Sequence, residues 1–393
     1  MIKTPEAQAL TAYLETHLPT YIEELRQLCA IECPTASKAG VDEAGAWVRR
    51  WLAGRQWRLR EWRDAEAGDS LAATVRGSGT MRILLAAHLD TVYPVGVAAA
   101  RPVTIEGDVL RGPGSADNKS GLLSGLFAMA ALEDLGLIDA IGAITMMCGG
   151  DEETDMRSSI GLIRELAPKH DIALVLEAGR ENGDIVGARK GGGNFMIETF
   201  GKAAHAGVEP EKGAHAVLAL AHHTIGLQAL NGMRPGVTVN VGVIQGGAVP
   251  NAVPDYARAT IDVRVVSPDD IDPVVAALQA EAARVVVPGV RAKLSGGWGA
   301  PPMARTPQIA ALGSVARNCA DELGFSVSAA STGGVSYANY FAQLGLPVLD
   351  GLAPVGGLDH SPDEYILVSS IVPRTALLAL LMLRAAQQRD EIQ

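Results

Sequence analysis

The sequence is poor in aromatic residues, cysteine and basic charge. Aromatic side chains make up only 4% of its 393 residues, so any core must be built mainly from Ala, Val, Leu and Ile. Four cysteines (Cys29, Cys33, Cys148 and Cys319) are too few and too scattered for a disulfide framework. Cys29 and Cys33 lie four apart, but no second Cys/His pair follows to complete a metal site. Buried, reduced thiols in a cytoplasmic protein are expected instead. There are 33 basic residues against 44 acidic ones, a formal net charge of −11. Without a basic footprint, nucleic acid is not expected as a partner. No window holds 18 consecutive apolar residues, so no membrane span is expected. The amino-terminal segment lacks a signal-like apolar stretch and reads as a helix, with Thr4 as N-cap and Pro5 in its first turn. No G-x-G-x-x-G fingerprint follows an early strand, which removes the usual signature of a dinucleotide site.

What remains is an ordinary globular balance, 48% hydrophobic and 20% charged. The apolar runs RILLAAHLDTV (82–92), AITMMCGG (143–150) and IALVLEAG (172–179) read as buried strands. KSGLLSGLFAMAALEDLG (119–136) between them reads as a helix. Strands alternating with helices predict an α/β domain with a mainly parallel sheet. The middle of the chain changes period. NFMIETFG (194–201), VTVNVGVIQGG (237–247) and YARATIDVRVV (256–266) alternate every second residue, with helical segments over 213–230 and 268–285. This predicts a small α+β domain over 190–295, inserted into a discontinuous domain formed by 1–189 and 296–393. The Gly-rich stretches ARKGGGN (188–194) and SGGWGAPP (295–302) are the expected hinges. The α/β pattern then resumes with helices over 306–323, 334–344 and 367–388.

Polar residues stand at the ends of the predicted strands, where open α/β sheets bind ligands. His88 and Asp90 close the first, two apart and therefore on one side of the chain. Asp117 sits in the turn RGPGSADNKSG. Asp151, Glu152 and Glu153 follow the second strand, Glu177 ends the third, and His360 lies in GGLDHSPDEY. Taken singly, each reads more readily as a structural residue. Together they offer two imidazoles and three carboxylates, enough for a dinuclear zinc site with one bridging carboxylate, and leave a carboxylate for general-base work.

The order HLDTV, GPGSADNKSG, GGDEE, VLEAG, GKAAHAG, GGAVPNAVPDYARATIDVR and LDHSPDEY resembles the dinuclear zinc aminoacylase/carboxypeptidase family of metallopeptidases. It looks most like the bacterial glutamate carboxypeptidases, from about residue 20 onward. The resemblance implies two zinc ions per subunit, with cobalt or manganese as alternative ions. His88 and Glu177 would hold the first ion, Glu153 and His360 the second, and Asp117 would bridge them. Asp90 would orient His88, and Glu152 would be the catalytic base. The inserted domain would act as a lid and as the interface of a homodimer. From it His205 would stabilise the oxyanion, while Asn251 and Arg264 would grip a substrate carboxylate. Lys190 and the backbone of Gly333 and Gly334 are further substrate-binding candidates. The implied reaction is hydrolysis of an amide in an N-acyl amino acid or small peptide with a free carboxylate.

One departure bears on specificity. In STGGVSYANY, Tyr337 stands where the family usually has Asp, which predicts a bulkier, less acidic pocket. That feature sustains a rival reading, hydrolysis of a carbamate or xenobiotic amide. A metal-free binding protein on the same fold is the third reading, and it predicts missing ligands.

Overall fold

The computed structural model describes residues 4–154 and 156–392. Its chain divides into two compact units. The first runs to Ala188 and resumes over Arg305–Ser331 and from Ser336 onward. The second comprises Arg189–Ala304 and Thr332–Val335.

The first unit is built on a six-stranded sheet. Its order is Arg58–Trp62, Ser70–Arg76, Ala143–Gly149, Arg82–His88, Ile172–Val175 and Val348–Leu349. The three pairings around Arg82–His88 and beyond it are parallel, and the two at the Arg58–Trp62 edge are antiparallel. Every residue of Ala143–Gly149 is buried, as is every residue of Arg82–His88 after Arg82. A central parallel strand covered on both faces needs such an unbroken apolar run. Thr4 caps the helix Pro5–Cys29 by accepting a hydrogen bond from Ala7 N, and Pro5 opens the helix.

The helix Ser120–Asp134 is apolar all round and buried from Ser120 to Leu132, as a helix enclosed on every side must be. Its first turn lies against the sheet because Gly121 has no side chain: a Cβ there would sit 1.9 Å from the Leu176 carbonyl oxygen. This approach seats the loop carrying Asp117 beside the segment carrying Glu177. Among the described residues, one helix, Val368–Gln387, is long and apolar enough to cross a membrane. It packs instead against Pro5–Cys29, Ser120–Asp134 and Pro307–Leu323, and is mostly buried.

A second, four-stranded sheet escapes sequence reading because its strands are two or three residues long. Tyr365–Leu367 pairs antiparallel with both Gly356–Gly357 and Val109–Arg111, and the latter pairs with Thr104–Glu106. This sheet brings the His360 segment back beside the Asp117 loop.

The second unit is an antiparallel sheet in the order Thr238–Gly246, Tyr256–Val265, Gly191–Phe200 and Arg291–Ala300. Ile197, Ile261 and Val263 face Leu220 and Leu227 of the helix Ala216–Gln228, with Val274 and Leu278 of Ile271–Ala282 in the same core. Two expectations change here. In ARKGGGN the boundary between the units falls at Ala188/Arg189, but the glycines themselves begin the strand Gly191–Phe200 and are not a linker. SGGWGAPP is not a hinge either: residues 295–300 complete the strand Arg291–Ala300, which belongs wholly to this unit. The glycines serve packing. Gly193 lies opposite Trp298, and a Cβ on Gly193 would come within 2.8 Å of the indole.

The close approach at Gly121 gives a stability prediction. Gly121→Ala must push the helix from the sheet and is expected to cost about 1–3 kcal/mol. Gly161→Ala, in the exposed face of the helix Arg157–Leu166 with open space around it, is expected to stabilise by about 0.5–1 kcal/mol. Denaturant unfolding of both variants checks the opposite signs; a Gly121→Ala protein as stable as the parent would contradict the packing account.

Candidate metal centre

His88 is the last residue of its strand and is almost fully buried. Its Nδ1 lies 3.0 Å from the Asp90 carbonyl oxygen and 3.3 Å from Asp90 Oδ1. With Nδ1 engaged there, Nε2 is directed to Asp117 Oδ1 at 2.9 Å. The other carboxylate oxygen of Asp117 lies 3.1 Å from His360 Nε2, and that nitrogen is also 3.1 Å from Glu153 Oε2. Ligand atoms of His88, Asp117 and Glu177 gather within 4.8 Å of one another, and so do those of Asp117, Glu153 and His360. Asp117 is common to both triads.

Asp90 does more than face His88. Its Oδ2 accepts from Thr35 Oγ1 at 2.7 Å and from Glu153 N at 3.1 Å, and its Oδ1 accepts from Glu152 N at 3.2 Å. One buried carboxylate therefore fixes the ring of His88 and the backbone that carries Glu152 and Glu153. Asp151, in the same acidic run, braces the following helix by accepting from Ser158 N and Ser159 N.

The electrostatics are dominated by crowded negative charge. Burial alone would raise the Asp117 carboxyl, but hydrogen bonds from His360 and His88 hold it well below the usual range. Hydrogen bonds to Asp117 and Glu153 push His360 up to about 11. Burial opposes protonation of His88, yet Asp117 and Asp90 outweigh it and raise that pKa well above the ordinary value. Burial pushes Glu152 well up; His88 pulls the other way, and the charges of Glu177, Asp117 and Glu153 add to the rise.

The residues fit divalent cations. Imidazole and carboxylate are the donors zinc accepts, and two triads sharing one carboxylate form a two-ion site. Among the described residues, the ion pairs of Asp117 and Glu153 are with histidine. Glu153 Oε1 is buried with no hydrogen-bond partner there, a cost that a cation would remove.

Residues 84–384 match the model of peptidase family M20/M25/M40. The chain belongs to that family. It is a hydrolytic enzyme of the metallopeptidase and amidohydrolase class. Carboxypeptidase G2 of Pseudomonas sp. (strain RS-16) is 29% identical over 372 residues, covering 93% of this chain and 89% of that protein. Among solved structures, the aminopeptidase PepT of Bacillus cereus superposes with a TM-score of 0.79 at 22% identity, covering 94% of this chain and 99% of that one. The Bacillus subtilis YXEP protein, described as a dinuclear metal binding peptidase of family M20, superposes with a TM-score of 0.69 at 16% identity, covering 95% and 99%. At these identities the two structures speak for the M20 fold.

Tyr337 departs from expectation. It does not widen or crowd an open pocket, because it is fully buried at the start of the helix Tyr337–Gln343. Its hydroxyl lies 3.0 Å from Ser159 Oγ and packs where a side chain on Gly149 would stand. Burial raises its pKa well above the ordinary value. The phenol fills space under the end of the strand Ala143–Gly149.

The remaining substrate-binding candidates lie in the second unit. His205 pairs with Ala252 across a two-residue ladder, and Ala206 N donates to the Asn251 carbonyl at 3.0 Å, so His205 and Asn251 are neighbours. Arg264 is elsewhere. It pairs with Asp262 at 2.9 Å on the strand Tyr256–Val265, opposite Gly192. Asn251 precedes that strand, and the eight residue steps of extended chain from Tyr256 to Arg264 span about 27 Å. Asn251 and Arg264 of one chain therefore stand far apart on this unit. Lys190 N donates to the Thr332 carbonyl, and Arg189 Nη1 donates to the Gly334 carbonyl at 3.1 Å, which anchors the Gly333–Gly334 loop.

Sequence reading missed Thr35 and Glu364. Glu364 lies inside the motif LDHSPDEY and Thr35 follows Cys33 and Pro34, but a lone hydroxyl or a charged turn residue has no signature of its own. Glu364 is 1% exposed, and burial pushes its carboxyl up to about 6 against the pull of its hydrogen-bond donors.

Proposed function

We propose that the chain hydrolyses the amide bond of an N-acyl amino acid or small peptide bearing a free carboxylate. The observation that carries this reading is the pair of ligand triads sharing Asp117, with Glu152 beside them. His88 and Glu177 would hold one divalent ion of the zinc class, Glu153 and His360 would hold the other, and Asp117 belongs to both triads. When bound, such ions would polarise the scissile carbonyl and acidify the attacking water. Glu152 takes one proton from the attacking water and delivers it to the leaving nitrogen as the C–N bond breaks. Asp90 keeps His88 Nε2 and the Glu152 backbone in place throughout. The carboxypeptidase named among the relatives supports a substrate carboxylate. Arg264 offers the planar fork suited to binding it, in exchange for Asp262. The backbone of Gly333 and Gly334, with Lys190, assists.

The rival reading, a carbamate or xenobiotic amide, rested on Tyr337 reshaping a pocket, and Tyr337 is buried in the core instead. The metal-free reading predicts lost ligands, and all five ligand positions are filled. Four free, buried thiols accord with a reducing, cytoplasmic setting.

A homodimer through the inserted unit completes the proposal. Thr238–Gly246 is an edge strand with Val243 and Ile244 exposed, and Leu218 and Ile225 are exposed on the helix Ala216–Gln228. An uncovered apolar edge of this kind favours pairing with a second copy. The separation of Arg264 from Asn251 and His205 has the same consequence. One subunit supplies Arg264 and its partner supplies His205 and Asn251, where His205 donates to the developing oxyanion.

Glu152→Gln removes the proton carrier but no ligand. It is expected to keep two equivalents of zinc while kcat falls by about 10²–10⁴-fold; near-normal turnover would sink the assignment. The shared site is tested by mixing two inactive variants, His205→Ala and Arg264→Ala, after dissociation. Mixed dimers retain one intact site, so about a quarter of wild-type activity should return. No recovery from stable mixed dimers would show that both residues act within one chain.

A further inference from the structure

We propose that Glu364 is a positioning residue of the metal centre, holding the bridging carboxylate of Asp117 between its two histidines. The proposal rests on the ligand reading above and adds to it a residue that touches neither ion nor substrate.

The geometry is specific. Glu364 Oε1 accepts from Ala116 N at 2.8 Å and from Asp117 N at 2.9 Å. Its Oε2 accepts from Gly114 N at 2.8 Å and from Tyr93 Oη at 2.7 Å. One carboxylate thus closes a ring of backbone donors around the loop that presents Asp117. That loop is not regular helix: Asp117 and Asn118 have non-helical backbone angles, and Gly114 is left-handed at φ 73°. The N–H groups of Gly114, Ala116 and Asp117 lie in a largely buried loop and need acceptors, and no helical ladder provides them.

Three chain segments meet at this residue. Tyr93 follows His88 and Asp90 in the same loop, and its hydroxyl also lies 2.8 Å from the Ser361 carbonyl. Asp117 is on the second segment. Glu364 itself is four residues beyond His360 and next to Tyr365, which pairs with Arg111. Moving Glu364 would therefore shift Asp117 relative to both His88 and His360. All four partners are donors, so the site demands an acceptor at both oxygens. A glutamine of the same shape turns one of those acceptors into an NH2 donor, which faces N–H groups. Groups behind metal ligands typically affect metal affinity by about 10–100-fold.

The test uses the full chain, with zinc affinity measured by chelator competition, and melting of the metal-free protein in parallel. Glu364→Gln should weaken zinc binding about 10–100-fold and lower kcat more than it raises KM. Tyr93→Phe removes one donor of the four and should weaken zinc binding in the same direction, by less. Asp117→Ala is the reference and should lose at least one equivalent of zinc. If Glu364→Gln binds zinc like wild type while Asp117→Ala does not, the positioning role is overturned, even where the metal-free protein melts lower. If Asp117→Ala also binds two zinc ions normally, the ligand reading fails and the positioning role with it. Should Glu364→Gln not fold, Tyr93→Phe decides: unchanged zinc affinity overturns the proposal, and weakened affinity supports it.

Discussion

The carboxylate of Asp117 is shared by two histidines that arrive from distant parts of the chain, with His88 Nε2 at 2.9 Å and His360 Nε2 at 3.1 Å. Around it stand Asp90, Glu152, Glu153 and Glu177. Carboxylates brought this close repel one another, and burial removes the water that would screen them. This charge raises the pKa of both imidazoles against the cost of burial, through Asp117 and Asp90 at His88 and through Asp117 and Glu153 at His360. A pair of divalent cations would offset the charge. The rest of the first unit can be understood as the means of holding this charge in place.

Two devices achieve that. A parallel sheet delivers His88 and Glu177 from adjacent strands, because Arg82–His88 and Ile172–Val175 are paired in register. Buried carboxylates then fix the loops beyond the strand ends. Asp90 takes Glu152 N and Glu153 N, and Glu364 takes Gly114 N, Ala116 N and Asp117 N. The acidic composition of the chain thus has two roles in the centre: some carboxylates face the ligand cluster, and others hold the backbone behind them.

Much of this was legible in the sequence. His88, Asp117, Glu153, Glu177 and His360 could be found because each follows an apolar strand or sits in a Gly-rich turn, and their order matched a known set of motifs. Strand and helix positions followed from periodicity for the same reason. What stayed hidden depends on packing across the chain. The glycines at 191–193 and 296–297 look like hinges until Trp298 is seen opposite Gly193. Tyr337 looks like a pocket residue until its hydroxyl is found beneath Gly149. The separation of Asn251 from Arg264 follows only once Tyr256–Val265 is known to be a single straight ladder. The short strands that return His360 to Asp117 carry too few residues for a periodic signal.

Asp117 belongs to both ligand triads and would bridge the two cations they hold. Anomalous diffraction at the zinc edge from crystals of the zinc-loaded enzyme tests it most directly. Two peaks are predicted, both on Asp117, one also on His88 and Glu177 and the other also on Glu153 and His360. A single peak, or two peaks with Asp117 outside the coordination of either, would contradict the account.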